Sequence, residues 1–262
     1  MSEHAKIANT AARTLRADPA FAPLHRSLDV YYGDPGRDAA MDRLYAGFVK
    51  PGNLAFDIGS HVGDRIGAFR RLGARVVALE PQPGCARVIR TLYAGDSDVH
   101  LVEAACGATP GRLILHVNSA NPTVTTASEA FVKAADGAGG WEGQTWDQTI
   151  EVPVTTLDDL IAHHGRPDFV KIDVEGFETD VLMGLSQALP ALSFEFTTIQ
   201  RDVAHACIAR LVELGAYRFD IALGESQQLT FHEWITGDAM RRHVDNLPHS
   251  ANSGDIYAVV AA

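Results

Sequence analysis

A glycine turn, followed about twenty residues later by an acid, is the part of this sequence with the most specific chemistry. The turn is the run FDIGSHVG at residues 56–63, which joins a predicted strand to a predicted helix. The next predicted strand ends at Glu80. Glycines at such a turn let the backbone approach a ligand, and the acid can accept hydrogen bonds from a ribose diol. Gly59 and Gly63 have G-x-x-x-G spacing rather than G-x-G-x-x-G, which favours S-adenosylmethionine over a dinucleotide.

The helix after this turn also suits a cofactor. Its first N–H groups and the positive end of its dipole point toward the turn, where a carboxylate such as the methionine end would bind. Val62, Ile66 and Phe69 fall at helical spacing, so we expect one helix face to pack on the sheet. Asp57 is expected near the methionyl amine, and Glu80 at the ribose hydroxyls. In the alternative interpretation, the glycines only permit a tight strand-to-helix turn.

A second acidic segment, VKIDVEGFE, occupies residues 170–178. Alternation along a strand puts Lys171, Asp173 and Glu175 on one side. Acids at the carboxyl end of a parallel strand lie where ligands bind in α/β sheets. These acids could serve as a general base, a metal pair, or anchors for the cofactor or substrate. Alternatively, Asp173 caps the following helix and Glu175 stabilises its first turn.

Strand and helix patterns alternate along the chain, which is typical of a largely parallel sheet with covered faces. Helices are predicted at 41–48, from 156 to about 165, at 175–189 and at 202–214. The predicted strands are 54–57, 75–80, 99–105, 112–117, 149–154, 169–174, 192–196, 217–221 and 256–260. The predicted fold is therefore α/β, with an N-terminal helical extension (1–50) that is a candidate lid or oligomer contact, and a cofactor-binding domain (51–262).

Residues 119–148 do not fit this pattern, because they are rich in Ser, Thr, Asn and Gly. A segment of this length without secondary structure is usually a lid, a binding loop or disordered. Trp141 and Trp146 could cover a bound organic substrate. In the alternative, both side chains pack on the body of the protein.

The motifs DIGSHVG, ALEPQP, TTLDDL and FVKIDVEGFETDVLMG, in this order and spacing, resemble the FkbM-type S-adenosylmethionine-dependent methyltransferases. The resemblance covers roughly residues 54–196, with a closing strand at 255–260. It implies a Rossmann-like class I sheet of seven strands, the last one antiparallel. It also implies O-methylation of a hydroxyl on a small molecule, sugar or natural-product scaffold.

The chain departs from the family at Ser60-His61, where Ala-Asn is common, so a titratable group is added beside the cofactor. The turn and the resemblance together give a set of predicted contacts to S-adenosylmethionine, whose demethylated product is S-adenosylhomocysteine. The set comprises Asp57, Gly59, Ser60, His61, Val62, Gly63, Glu80, Pro81, Glu103, Ala104 and Asp173.

Methyl transfer to an alcohol requires alignment, exclusion of water and a base within reach of the hydroxyl. Asp173 is the first candidate by position, followed by Glu175. His61 has a suitable intrinsic pKa but could simply orient the turn. Glu195 ends the next strand and could face the same crevice. A divalent metal at Asp173 and Glu175 is an option, but the sequence shows no dense His/Asp cluster, so no metal ligand is assigned.

Composition narrows the function classes. The 262 residues carry a net charge of −11, from 22 basic and 33 acidic side chains, which argues against a nucleic-acid partner. The three cysteines have no C-x-x-C spacing, so a disulfide framework is not indicated. No apolar stretch is long enough to cross a membrane. We therefore expect a cytoplasmic enzyme whose partner is a small-molecule hydroxyl acceptor, with a homodimer as a candidate assembly.

Two other functions fit the same kind of sheet. One is a nicotinamide-dependent oxidoreductase, which the glycine spacing disfavours. The other is a protein that keeps the cofactor site but has lost catalysis.

Overall fold

The computed structural model describes residues 11–261, and a seven-stranded sheet forms the centre of this part of the chain. Part of the predicted N-terminal extension, residues 1–10, lies outside the described residues, as does residue 262. The strands are β1 (Leu54–Ile58), β2 (Arg75–Leu79), β3 (Val99–Val102), β4 (Ala105–Cys106), β5 (Gly111–Val117), β6 (Gln148–Thr155), β7 (Phe169–Ile172), β8 (Ala191–Thr197), β9 (Tyr217–Leu223) and β10 (Ser253–Val260).

The large sheet has the order β3-β2-β1-β7-β8-β10-β9. Within this order, β3, β2, β1, β7 and β8 pair in parallel. Strand β10 is antiparallel to both of its neighbours, β8 and β9. The predicted sheet of seven strands with an antiparallel last strand is therefore confirmed. The chain runs outward in opposite directions from β1 and β7, and the carboxyl ends of these two strands border the crevice where such sheets bind ligands.

Helices cover both faces of the sheet. They are α1 (11–17), α2 (His25–Tyr32), α3 (Pro35–Tyr45), α4 (Asp64–Arg71), α5 (Pro83–Leu92), α6 (Glu129–Ala135), α7 (Leu157–His164), α8 (Glu178–Met183), α9 (Arg201–Leu214) and α10 (Gly237–Asn246). Within residues 11–261, no helix combines the length and apolar character of a membrane span.

Alternation along β1 explains why the sheet is buried on both sides. All five of its residues are buried, and Phe56 and Ile58 point into one apolar core while Ala55 points into the other. The predicted inner face of α4 is also present, since Ile66 and Phe69 are fully buried. The helix is thus fixed against the sheet directly after the glycine turn.

The N-terminal helices pack on the same domain. Leu15, Phe21 and Leu28 share an apolar cluster with Val62 of the glycine turn and Val88 of α5. Residues 11–32 therefore lie against the turn and against α5.

Four predicted elements differ in the structure. The helix predicted at 41–48 spans Pro35–Tyr45 instead. The strand predicted at 99–105 is broken at Glu103-Ala104, because Ala105 and Cys106 leave the large sheet and pair with β6. The strand predicted at 169–174 ends at Ile172. The helix predicted at 175–189 spans only Glu178–Met183.

A turn accounts for the late start of α8. Glu175 has φ 55° and Gly176 has φ 86°, so neither can belong to a right-handed helix. The carboxylate of Glu178 then accepts the N–H groups of Val174 and Gly176, at 3.0 and 3.2 Å. The alternative in which Asp173 caps the helix is not observed, because the N-cap residue is Phe177 and no side chain caps there.

The segment 119–148 contains α6 and a 3₁₀ turn at Pro122–Val124. Phe131, Val124 and Trp141 form a small apolar cluster of their own, and the Trp141 ring meets Phe131 edge-on at 5.1 Å. The indole N–H of Trp146 donates to the carbonyl of Val124 at 2.8 Å. This segment is therefore packed and hydrogen-bonded.

Candidate active site

The turn after β1 is built around a glycine that no other residue can replace without a shift of the backbone. Gly59 has φ 84°, and a Cβ there would lie 1.8 Å from the carbonyl oxygen of Asp173. The N–H groups of Gly59 and Ser60 both donate to the carbonyl of Leu79. The ends of β1, β2 and β7 are thus brought together at one point.

Glu80 closes the other side of this turn. Its side chain is buried, and its two oxygens accept the N–H groups of His61 and Gln82, each at 2.7 Å. Burial raises the pKa of Glu80 to about 8, although the two N–H donors oppose the shift. The predicted ribose acceptor therefore also holds the glycine turn in place.

A first cavity opens at the carboxyl ends of β1 and β2. Seven predicted site residues line it, namely Gly59, His61, Glu80, Pro81, Ala104, Asp173 and Glu175. Apolar side chains that the sequence did not single out complete the wall, and they include Leu79, Cys106, Leu115 and Phe177. Leu115 and Cys106 belong to a second, three-stranded sheet of order β4-β6-β5. The position of this sheet relative to the turn has no local signal in the sequence.

Three predicted cofactor residues lie elsewhere. Glu103 is exposed and forms an ion pair with Arg90, while its neighbour Ala104 lines the cavity. Val62 is fully buried in the cluster with α5, and Gly63 is the N-cap of α4 in the left-handed conformation. Val62 and Gly63 therefore contribute to the shape of the turn without lining either cavity.

A second, strongly polar cavity adjoins the first. Predicted residues in its wall are Asp57, Ser60, His61, Asp173, Glu175 and Glu195. Asp57 is buried, and its Oδ2 has no hydrogen-bond partner among the described residues. Burial, together with the charge of Asp64, raises the pKa of Asp57 to about 7. This carboxylate has a free acceptor atom facing the turn where a cofactor amine is expected.

His61 lies between the two cavities. Its Nε2 is 3.3 Å from the Thr123 hydroxyl and its Nδ1 is 3.5 Å from the Cys85 sulfur, while the Tyr31 ring meets it edge-on at 5.8 Å. Burial lowers the pKa of His61 to about 4, against the charges of Asp64 and Asp173. The imidazole is therefore neutral near pH 7 and is a weak proton acceptor.

Three carboxylates meet in the second cavity, although they come from different places in the sequence. One oxygen each of Asp173, Glu175 and Glu195 lies within 4.8 Å of the other two. Strand alternation predicted that Asp173 and Glu175 lie on the same side. Glu175 instead lies beyond the end of β7 in a left-handed turn, and this turn sets the direction of the Glu175 side chain.

Lys171 is fully buried beside this cluster. Its Nζ lies 3.0 Å from Oδ2 of Asp173 and 2.8 Å from Oδ1 of Asp255. Burial would raise the pKa of Asp173, but the charges of Lys171 and Arg65 and the hydrogen bonds from Lys171 and Glu195 together outweigh it and hold this pKa below its usual value. In contrast, burial and the charge of Asp173 raise the pKa values of Glu175 and Glu195 well above the ordinary range.

The remaining acids of the second cavity have basic partners. Asp64 is bound by Arg37 at 2.8 Å and also pairs with Arg65, and Glu225 pairs with the same two arginines. Trp141 closes one side, and its Nε1 is buried without a partner among residues 11–261. Sequence reasoning missed these arginines as well as Tyr31 and Asn252. Arg65, Tyr31 and Asn252 are in the wall, and their places there depend on the tertiary fold.

The crevice lies at the carboxyl ends of parallel strands, with a glycine turn after β1 and an acid after β2. These features define a Rossmann-like cofactor-binding protein. A model of the methyltransferase FkbM domain matches residues 57–219. The chain therefore belongs to the FkbM methyltransferase family, and the predicted family is confirmed.

Solved structures that match this chain at low sequence identity include three that are named as methyltransferases or methylases. Precorrin-6y C5,15-methyltransferase from Geobacter metallireducens is 16% identical, with a TM-score of 0.44, over 86% of this chain and 87% of that one. Ribosomal protein L11 methylase from Lactobacillus delbrueckii is 12% identical, with a TM-score of 0.44, over 85% and 77%. A SAM-dependent O-methyltransferase from Thermotoga maritima is 10% identical, with a TM-score of 0.41, over 87% and 66%. A search of curated proteins finds no significant match.

Proposed function

We propose that this protein is an S-adenosylmethionine-dependent O-methyltransferase, which methylates a hydroxyl of a small molecule, sugar or natural-product scaffold. The observation that carries the proposal is the contact between the two cavities. Gly59, His61, Thr123, Asp173 and Glu175 line both of them. A methyl donor in the first cavity would therefore lie directly beside an acceptor in the second.

The first cavity suits the adenosine half of the cofactor. Its apolar wall matches a purine ring, and the Glu80 carboxylate is in the wall with lone pairs left for two ribose hydroxyls. The methionine half would extend along the glycine turn toward Asp57, whose partnerless Oδ2 can accept from the amine. The charged amine would also lower the raised pKa of this carboxyl group.

The bound cofactor supplies a methyl group on a positively charged sulfur, and the protein supplies alignment and a proton acceptor. We assign the proton acceptor to Glu175, because it lines both cavities and has an oxygen without a hydrogen-bond partner. Its raised pKa makes the ionised form a stronger base than an ordinary carboxylate. Asp173 is less suited, because Lys171 holds its charge.

Transfer of a labelled methyl group from S-adenosylmethionine to a panel of hydroxylated acceptors tests the proposal. We expect transfer to an alcohol oxygen, and we expect Glu175→Gln to lower kcat by about 100-fold or more with cofactor affinity unchanged. Glu129→Gln, at an exposed site on α6, is the matched control and should retain full activity. Transfer only to nitrogen acceptors, or a fully active Glu175→Gln variant, would contradict the proposal.

A further inference from the structure

We infer that the carboxylates of Asp173, Glu175 and Glu195 form a binding site for one hard divalent cation such as Mg²⁺ or Mn²⁺. One oxygen from each residue lies within 4.8 Å of the other two. Oxygens that share a cation at metal–oxygen distances of about 2.0–2.6 Å have separations of this size. A set made only of oxygen ligands favours hard divalent cations over zinc or copper.

The charges around the cluster are compatible with a bound divalent cation. Lys171 is the nearest cation, and it is already bound between Asp173 and Asp255. Among residues 11–261, neither Glu175 nor Glu195 forms an ion pair. Glu175 and Glu195 therefore lie close to Asp173 without a basic side chain of their own, and Glu195 shares a hydrogen bond with Asp173 that a bound cation would replace.

Unpartnered oxygen atoms in the same cavity are a separate observation that indicates a ligand. The Glu175 side chain is only 8% exposed, and its Oε2 has no hydrogen-bond partner within the described residues. The amide oxygen of Asn252 lines this cavity and is also buried without a partner. Buried acceptor atoms are rarely left unsatisfied, and a bound cation would satisfy the Glu175 oxygen.

The cluster is also accessible. The Asp173 side chain is 33% exposed toward the cavity, so an ion could enter and keep several waters. Each carboxylate offers one oxygen to the ion. If the proposed function holds, a hydroxyl bound to this ion would lose its proton more easily, and the second oxygen of Glu175 could still accept it.

Titration of the EDTA-treated full chain with Mn²⁺, without cofactor, tests the inference. Bound and free Mn²⁺ can be separated by electron paramagnetic resonance. We expect one saturable Mn²⁺ per chain that Mg²⁺ displaces. Glu175→Gln and Glu195→Gln should each weaken binding at least tenfold. Glu225→Gln is the matched control, because this acid lines the same cavity outside the cluster, and its affinity should stay within twofold of the parent.

Two results would overturn the inference: no saturable binding at millimolar Mn²⁺, or binding that neither cluster variant weakens. Circular dichroism of each variant tests whether the fold is retained. Titration with S-adenosylhomocysteine on the same samples separates this inference from the proposed function. Cofactor binding without Mn²⁺ binding contradicts only the cation site, and Mn²⁺ binding without cofactor binding contradicts only the proposed function.

Discussion

Buried carboxylates with raised pKa values are the main feature of this protein at the scale of single residues. Burial of a charged group is costly unless donors or cations compensate for it. Glu80 is compensated by two backbone N–H groups, whereas Asp57 and Glu175 each have an oxygen without a partner. The uncompensated groups line the cavities, which is where a ligand can supply the missing partner.

Glu80→Ala tests the ribose assignment. We expect this change to weaken S-adenosylhomocysteine binding about tenfold or more, since the acceptor oxygens for the ribose hydroxyls are lost. Isothermal titration calorimetry measures the effect. Glu103→Ala is the control, because this acid is exposed and pairs with Arg90, and its binding constant should not change. An unchanged affinity in Glu80→Ala would refute the assignment.

At the scale of elements, the site depends on the close approach of two strand ends. The glycine turn after β1 touches the backbone after β7 at Asp173, and this contact joins the cofactor turn to the acidic cluster. The sequence predicted both sides of this contact, because Gly59 follows a strand with a buried pattern and Asp173 ends another. It did not predict the left-handed turn at Glu175 and Gly176, because Glu175 is not a residue type that favours positive φ.

Gly59→Ala should disrupt this contact, and Gly95→Ala is its matched control. Both glycines have positive φ, 84° and 81°, but a Cβ at Gly95 meets nothing within 4 Å. Each change carries the cost of a left-handed alanine, about 1 kcal/mol. Gly59→Ala should lose about 2 kcal/mol more in the free energy of unfolding, measured with urea, because of the clash with Asp173. Equal losses in the two variants would contradict the close approach.

At the scale of the whole molecule, segments far apart in sequence close the cavities. Tyr31 from α2, Trp141 from the 119–148 segment and Asn252 before β10 all line the second cavity. Periodicity and motifs predicted the seven-stranded sheet and its cofactor turn, because those signals are local. Trp141 was a sequence-based candidate for covering a substrate, but no local pattern specifies that Tyr31 and Asn252 meet it in this wall. The break of the strand after Val102 was missed for the same reason, because it depends on pairing with β6.

The buried carboxylates also predict how stability depends on pH. The pKa values of Asp57 and Glu178 are raised to about 7 and that of Glu80 to about 8, in each case mainly by burial. Between pH of about 6.5 and 9 the folded protein therefore holds more protons than the unfolded chain, and the free energy of unfolding should fall as pH rises. Below this range His61 makes the free energy of unfolding rise with pH, because burial lowers the pKa of its imidazole.

Urea unfolding at several pH values in this range measures the slope. Glu178→Gln should make it shallower, because the amide oxygen can still accept from Val174 and Gly176 but cannot ionise. A stability that rises with pH over this range, or a slope that Glu178→Gln leaves unchanged, would show that these groups are not buried as described.

The central claim is that the crevice at the ends of β1 and β2 binds S-adenosylmethionine. Calorimetric titration of the purified chain with S-adenosylhomocysteine, with NADH as the comparison ligand, tests it most directly. We predict one saturable S-adenosylhomocysteine site per chain and no saturable NADH binding. Folded protein that binds NADH, or that binds neither ligand, would contradict the claim.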